Sequence, residues 1–231
     1  MKENGKQDFC LGAGLLAAFA LWTLLLRCVD VRPAGPAGTE IGFAACNLWF
    51  HRLTGVDMTL YTLTDWLGLV PIGICLGFGV LGLCQLIRCR SLRRVDGDLL
   101  LLGSYYILVI FCYLFFETVP INYRPIRING FLEASYPSST TLLVLSVMPT
   151  LELQISRRSA HTGIRRITAA FAALFSVFMV LGRLISGVHW LTDIIGSILL
   201  SAGLFLLYRS AVRRTDRRRA ERREGDVYGV S

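Results

Sequence analysis

The chain has 231 residues, of which 54% are hydrophobic and 17% are charged, and its formal net charge is +8. A mean hydropathy of +0.55 excludes an ordinary soluble domain of this length. The positive charge does not indicate nucleic-acid binding, because the arginines lie between and after apolar runs and not on one basic face interleaved with aromatic residues. We therefore expect a membrane protein whose partners are membrane lipids.

Six apolar runs are each close to the ~20 residues that an α-helix needs to cross a bilayer. The first run could instead be a signal peptide, but it is long and no clean cleavage site follows it. The fourth contains Pro149 and Glu152, which a kinked helix inside a bundle tolerates. The sequence thus predicts an all-α, polytopic membrane protein with a bundle of six transmembrane helices, at residues 9–28, 66–87, 99–117, 139–155, 167–185 and 190–208.

The segment EIGFAACNLWFHRLTG lies between the first two predicted spans. Its apolar residues recur at helical spacing from Ile41 to Leu53 and include Trp49. This pattern predicts a helix lying in the outer membrane interface, with Trp49 at the level of the lipid headgroups. Such a helix would anchor the protein or gate the access of lipids.

Lysine and arginine concentrate in alternate connecting segments, at the N-terminus, at residues 88–94 and 157–166, and after residue 208. By the positive-inside rule both termini are cytoplasmic, and segments 118–138 and 182–193 share the extracytoplasmic face of what we expect to be the plasma membrane. We expect residues 1–208 to form one domain. Residues 209–231 would be a disordered basic tail that anchors the topology or serves a regulatory role.

The extracytoplasmic turn GRLISGVHWLTD carries Arg183, His189 and Asp193. A helix that begins near His189 would bring Asp193 beside the imidazole through i, i+4 spacing. A carboxylate on one ring nitrogen leaves the other free to attack, and an arginine fork fits phosphate oxygens. These residues could instead be interfacial anchors, but a carboxylate within an apolar helix is costly without a partner. The pattern favours a phosphoryl-transfer site.

The other extracytoplasmic segment, INYRPIRINGFLEASYPSSTT, contains Arg124 and the sequence Pro137-Ser138-Ser139-Thr140. Serines at the start of a helix usually act as N-caps. A helix N-terminus with free N–H groups and hydroxyls is also an anion site, especially opposite arginines. Both interpretations fit Ser138 and Ser139.

Arg124-Pro125, then Pro137-Ser138, then Arg183-x5-His189-x3-Asp193 resembles the three-part signature of the type-2 phosphatidic acid phosphatase superfamily, integral-membrane relatives of vanadium haloperoxidases. The resemblance covers roughly residues 99–208, and only the third motif is specific by itself. It implies a six-helix phosphatase acting on lipid phosphates at the outer leaflet. His189 would form a phosphohistidine, Asp193 would orient it, Arg124 and Arg183 would clamp the phosphate, and Ser138 and Ser139 would bind its oxygens. No metal or organic cofactor is expected.

Two positions depart from the family pattern. Glu117 stands where the first motif has lysine, seven positions before Arg124, and Thr140 stands where the second motif has the histidine that acts as general acid. Glu117 could be a protonated replacement acid, or it could pair with Arg124 or Arg127 and hold the clamp. Alternatively the substrate is a pyrophosphate, whose leaving group needs little protonation.

Three functions therefore follow from the sequence. The chain would hydrolyse a lipid phosphate or polyprenyl pyrophosphate, or transfer the phosphoryl group to a lipid or saccharide acceptor, or bind lipids without catalysis. The sequence does not distinguish phosphatidic acid, phosphatidylglycerophosphate and polyprenyl pyrophosphate as substrates, and it leaves the oligomeric state open.

Overall fold

The computed structural model describes residues 2–228, and this part of the chain is built of α-helices, two short 3-10 helices and loops, without a β-strand. The prediction of an all-α protein is therefore confirmed. The eight helices are α1 (Lys2–Leu26), α2 (Ala44–Thr54), α3 (Met58–Leu67), α4 (Leu69–Cys89), α5 (Gly97–Thr118), α6 (Ser139–Arg158), α7 (Thr162–Ile185) and α8 (Leu191–Tyr228).

Five stretches of the described residues are long and apolar enough to cross a membrane. They lie at Asn4–Leu26, Met58–Cys89, Gly97–Thr118, Thr162–Ile185 and Leu191–Glu221. The fourth predicted span, 139–155, is present as α6, but its composition falls short of that of a membrane span. The difference arises because α6 is buried by protein, so it tolerates polar residues that lipid would not.

Polar residues of α6 are satisfied by neighbouring helices. The Thr150 hydroxyl lies 2.7 Å from the hydroxyl of Tyr106 on α5, and Gln154 donates a 2.8 Å hydrogen bond to the hydroxyl of Tyr208 on α8. Val144, Val147 and Met148 are fully buried. Helix α6 is thus the central helix that α5, α7 and α8 surround.

The second span begins earlier than predicted, at Met58 instead of residue 66, because a separate helix precedes it. Asp57 caps this helix, α3, by accepting a hydrogen bond from the backbone N–H of Leu60. Helix α3 packs closely on α7, where a Cβ at Gly182 would lie 2.6 Å from Cγ2 of Thr64. This contact brings α3 beside the residue that follows Gly182, Arg183.

The helix predicted between the first two spans is present as α2. Its buried residue Asn47 donates hydrogen bonds to the carbonyl of Gly42 at 2.9 Å and to the hydroxyl of Thr192 at 3.0 Å. Trp49 is 62% exposed on its outer side. Helix α2 therefore covers the start of α8, and the placement of Trp49 among headgroups stays a prediction.

The tail was predicted to be disordered; in the structure α8 continues through its described part to Tyr228. Ion pairs hold this extension against the rest of the bundle. Arg209 and Arg213 each lie 2.6 Å from Asp8, and Arg157 lies 2.6 Å from Asp216. We call Arg157, Arg209 and Arg213 the basic cluster. It lies at the C-terminal end of α6, the end opposite to the predicted site. Residues 229–231 lie outside the described part of the chain.

Candidate active site

The loop between α5 and α6 folds as an irregular hairpin. Asn129 and Gly130 both have positive φ, 50° and 84°, as a tight two-residue turn requires. Two backbone hydrogen bonds close the hairpin, from the N–H of Arg124 to the Glu133 carbonyl at 3.1 Å and from the N–H of Ser135 to the Asn122 carbonyl at 2.9 Å. The hairpin thereby presents Asn122, Arg124 and Ser135 together.

The turn between α7 and α8 carries His189. Gly187 has φ +68°, and a Cβ there would overlap the carbonyl oxygen of Gly55, so glycine is required on both counts. Ser186 accepts a 3.1 Å hydrogen bond from the N–H of Asp57, and Trp190 donates one of 2.8 Å from its indole to the carbonyl of Tyr123. The turn is thus fixed against both α3 and the hairpin.

These two loops set the tautomer of His189, whose side chain is buried. Its Nδ1 lies 3.2 Å from the backbone carbonyl oxygen of Ser135, and its Nε2 lies 3.4 Å from Nη1 of Arg124. A carbonyl can only accept and a guanidinium can only donate, so the proton sits on Nδ1 and Nε2 carries the free lone pair.

Burial holds the pKa of His189 well below its usual value of 6.5, and the positive charges of Arg124 and Arg183 lower that pKa further. The hydrogen bond to the Ser135 carbonyl opposes this effect. The imidazole is therefore neutral near neutral pH, which is the state in which a histidine attacks phosphorus.

Asp193 lies beside His189, with Oδ2 3.7 Å from Nδ1. This is an ion-pair distance and not a hydrogen bond. The carboxylate accepts a 2.9 Å hydrogen bond from the backbone N–H of Trp190 and contacts from the Ser135 hydroxyl and the Asn122 amide. His189 and Asp193 are neighbours, as predicted, but the Ser135 carbonyl and not Asp193 accepts the hydrogen bond from Nδ1.

Arg183 is buried at the end of α7 and is held from three sides. Its Nη2 donates a 2.7 Å hydrogen bond to the Thr140 hydroxyl and lies 3.3 Å from Oδ1 of Asp65. Its guanidinium carbon stands 4.9 Å from the ring centroid of Tyr61, and that of Arg124 stands 5.8 Å from the same ring. Tyr61 therefore lies against both arginines of the predicted clamp.

The predicted pairing of Glu117 with Arg124 or Arg127 is not what the structure contains. Nε of Arg124 lies 3.0 Å from Oε2 of Glu133, the residue opposite it in the hairpin. Arg127 is exposed near the hairpin turn. Glu117 lines a small cavity with His189. Backbone pairing in the hairpin places Glu133 opposite Arg124, so Glu133 and not Glu117 forms the ion pair with Arg124.

Ser138 is the N-cap of α6, yet its hydroxyl makes no capping hydrogen bond. Its Oγ and the Nε of Arg183 are buried without a hydrogen-bond partner among the residues that the structure describes. Ser139 and Thr140 form the first turn, whose N–H groups lack helical partners. Buried polar groups are costly to leave unpaired, and an anion could accept hydrogen bonds from these groups.

Two cavities adjoin these residues. The smaller, of about 10 Å³, is lined by His189, Glu117, Ser139 and aromatic residues and has room for roughly one water molecule. The larger, of about 1000 Å³, is a mostly apolar groove between α4 and α5 that extends to Ser139 and Thr140. We call it the α4–α5 groove. No cluster of metal-ligating side chains occurs in the described part of the chain.

Fold and site together define an α-helical membrane protein with a histidine and two arginines gathered at one end of its bundle. The PAP2 superfamily model matches residues 99–217. Because this match covers more than half of the chain, the chain belongs to the PAP2 superfamily.

A solved structure, the transmembrane PAP2-type phosphatidylglycerolphosphate phosphatase from Bacillus subtilis, has a similar fold. The TM-score is 0.53 and the identity is 17%, and the match covers 88% of this chain and 96% of the other. A search of curated proteins gave no match.

Sequence reasoning missed several residues that contact the predicted ones. The Asn129-Gly130 turn signals a hairpin that places its two arms side by side. The sequence could therefore have predicted the contacts of Asn122, Glu133 and Ser135. Tyr61 and Asp65 carried no such signal. They come from α3, which contacts α7 only in the folded bundle.

Proposed function

We propose that this protein is a membrane phosphatase that hydrolyses a lipid phosphate or polyprenyl pyrophosphate through a phosphohistidine on His189. One observation carries the proposal. A buried, neutral imidazole directs Nε2 toward Arg124, in a site that also holds Arg183. Membership of the PAP2 superfamily supports a phosphatase-type reaction.

In the proposed mechanism, Arg124 and Arg183 bind the phosphate oxygens while Ser138 and the first-turn N–H groups of α6 complete the anion site. Nε2 of His189 attacks phosphorus, and the bond from phosphorus to the lipid oxygen breaks. The phosphoimidazole is then cationic, since Nδ1 keeps its proton. Asp193, 3.7 Å from Nδ1, stabilises that charge.

The α4–α5 groove supports a lipid as the substrate. Its walls are apolar along most of its length, and only its end near the anion site includes Asp65, Ser139 and Thr140. A phosphate bound at the start of α6 would leave its hydrocarbon chain at the mouth of this groove, where burial of apolar surface is favourable. Phosphatidic acid, phosphatidylglycerophosphate and polyprenyl pyrophosphate all have this form.

The basic cluster at the opposite end of the bundle supports the orientation expected from the sequence. Arg157, Arg209 and Arg213 lie there, far along α6 and α8 from His189. With that end cytoplasmic, the site would face the extracytoplasmic leaflet. Labelling a single cysteine placed in the 119–138 loop from outside intact cells tests this orientation.

The function is tested by measuring phosphate release from the three lipid phosphates by purified protein in detergent, with His189→Ala as the blank. We expect release from at least one lipid by the wild type and none by the variant. A phosphorylated lipid or saccharide acceptor that appears instead of free phosphate indicates a phosphotransferase. Equal inactivity of both proteins toward all donors indicates a lipid-binding protein without catalysis.

A further inference from the structure

The α4–α5 groove and the small cavity beside His189 share three lining residues. These are Tyr113, Ser139 and Leu142. Tyr113 stands on α5, one turn before Glu117, and is 39% exposed. The boundary between the small cavity beside His189 and the α4–α5 groove therefore runs past the Tyr113 side chain.

Because His189 lines the small cavity and the groove would take the hydrocarbon chain, the oxygen that joins a lipid to its phosphate would lie near this boundary. That oxygen becomes the leaving group when Nε2 of His189 attacks. Of the three shared residues, Leu142 has no proton to give and Ser139 carries an aliphatic hydroxyl. A phenol, with a pKa of about 10, is a much stronger acid than an aliphatic hydroxyl and serves as a general acid in enzymes.

Three charged groups act on the Tyr113 hydroxyl. The guanidinium of Arg124 would stabilise a transient phenolate there, whereas the carboxylates of Glu117 and Glu133 and the burial of the ring oppose it. The Thr140 hydroxyl, by contrast, accepts a hydrogen bond from Arg183 and is part of the clamp.

We propose that Tyr113 is the proton donor to the leaving oxygen of a lipid phosphomonoester. The proposal rests on the phosphatase function proposed above. As the phosphorus–oxygen bond breaks, its electron pair goes to the lipid oxygen, which takes the phenolic proton and leaves as an alcohol. Water then attacks the phosphorus of the phosphohistidine. The bond between Nε2 and phosphorus breaks, and its electron pair returns to Nε2. A proton from the water restores the Tyr113 phenol. The products are one lipid alcohol and one phosphate.

The test compares two substrates with the same prenyl chain, a monophosphate and a diphosphate. The monophosphate must expel an alkoxide, whereas the diphosphate expels a phosphate ester whose oxygen has a pKa near 6 and needs no proton. Removal of a general acid costs ~10²- to 10⁴-fold in rate. For Tyr113→Phe we therefore expect kcat/KM to fall by at least about 100-fold on the monophosphate and by only a few fold on the diphosphate.

Glu117→Gln is the matched comparison, because Glu117 lies one turn further along α5 and lines the same small cavity. We expect it to affect the two substrates alike. A selective loss of monophosphate turnover in Glu117→Gln would assign the proton donor to Glu117 and overturn the proposal. Equal losses on both substrates in Tyr113→Phe would also overturn it, since they indicate a packing role.

The wild type separates this proposal from the proposed function. Hydrolysis of the diphosphate alone, with the monophosphate accumulating, would leave the phosphatase in place and refute the role of Tyr113. No phosphate from either substrate, with His189→Ala indistinguishable from the wild type, would refute the phosphatase itself.

Discussion

Nδ1 of His189 lies 3.2 Å from the backbone carbonyl oxygen of Ser135, closer than the 3.7 Å that separates it from the carboxylate of Asp193. A main-chain atom of the hairpin therefore fixes the imidazole tautomer, so we expect the carboxylate of Asp193 to act by its charge. This division of roles changes what a substitution at Asp193 should do.

Asp193→Asn should preserve the tautomer of His189. In catalytic triads, an asparagine in place of the carboxylate costs roughly 10⁴-fold in kcat because the wrong tautomer results. Here the Ser135 carbonyl still accepts from Nδ1, so we expect a smaller loss, about 10- to 100-fold, from the missing negative charge. Steady-state kcat on the preferred lipid phosphate measures it. A loss as large as that of His189→Ala would show that Asp193 does set the tautomer.

The pKa of His189 should respond to Arg124. Burial and the charges of Arg124 and Arg183 hold this pKa well below 6.5, so protonation requires a lower pH than it does for a free histidine. Arg124→Gln removes one of these charges, and the pKa should rise toward 6.5. NMR titration of the imidazole signals, assigned with His189→Ala, measures the pKa of His189 without relying on activity. A pKa unchanged by Arg124→Gln would contradict the proximity of the two side chains.

Thr140 should act through Arg183. The 2.7 Å hydrogen bond from Nη2 of Arg183 is charge-assisted, and such bonds contribute ~1.5–3 kcal/mol. We expect Thr140→Val to lower kcat/KM by roughly 10- to 150-fold, whereas Thr140→Ser keeps the hydroxyl and most of the activity. Equal activity of the two variants would mean that the hydroxyl has no part in holding the clamp.

Tyr61 should hold the two clamp arginines together. Each cation–π contact contributes ~0.5–2 kcal/mol, depending on its exposure to water. For Tyr61→Leu we expect weaker binding of inorganic phosphate by about 5- to 30-fold, measured as its inhibition constant. Tyr61→Phe retains the ring and should bind phosphate as the wild type does. Should both variants weaken binding equally, the hydroxyl of Tyr61 and not its ring would be responsible.

Gly196 should be essential to the packing behind the site. A Cβ at this position would overlap the ring of Tyr136, which is buried next to Ser135. Overpacking costs ~1–3 kcal/mol, so Gly196→Ala should lower the Tm in detergent by roughly 2–10 °C. Gly77→Ala is the control, because a Cβ at Gly77 meets nothing within 4 Å. A Tm for Gly196→Ala as high as that of the control would contradict this packing.

Much of the architecture could be predicted from hydropathy, because the length of an apolar run is a property of the chain alone. The boundaries of α5, the C-terminal end of α7 and the start of α8 followed from this signal, whereas α7 begins at Thr162, five residues before the predicted span. The second span did not follow from this signal, since the polar residues Thr62, Thr64 and Asp65 hid the helix that precedes it. The helical tail could not be predicted from hydropathy. Its arginines find their acidic partners, Asp8 and Asp98, only in the folded bundle.

The sequence by itself determined which chemical groups the protein carries, a histidine, a carboxylate four residues later and two arginines, because motif spacing is local information. Only the tertiary structure decided how these groups meet. Glu133, not Glu117, is beside Arg124, the Ser135 carbonyl orients His189, and Tyr61 and Asp65 of α3 contact Arg183. These partners are far apart along the chain, and they come into contact through the register of a hairpin and the close packing of α3 on α7, neither of which leaves a periodic trace in the sequence.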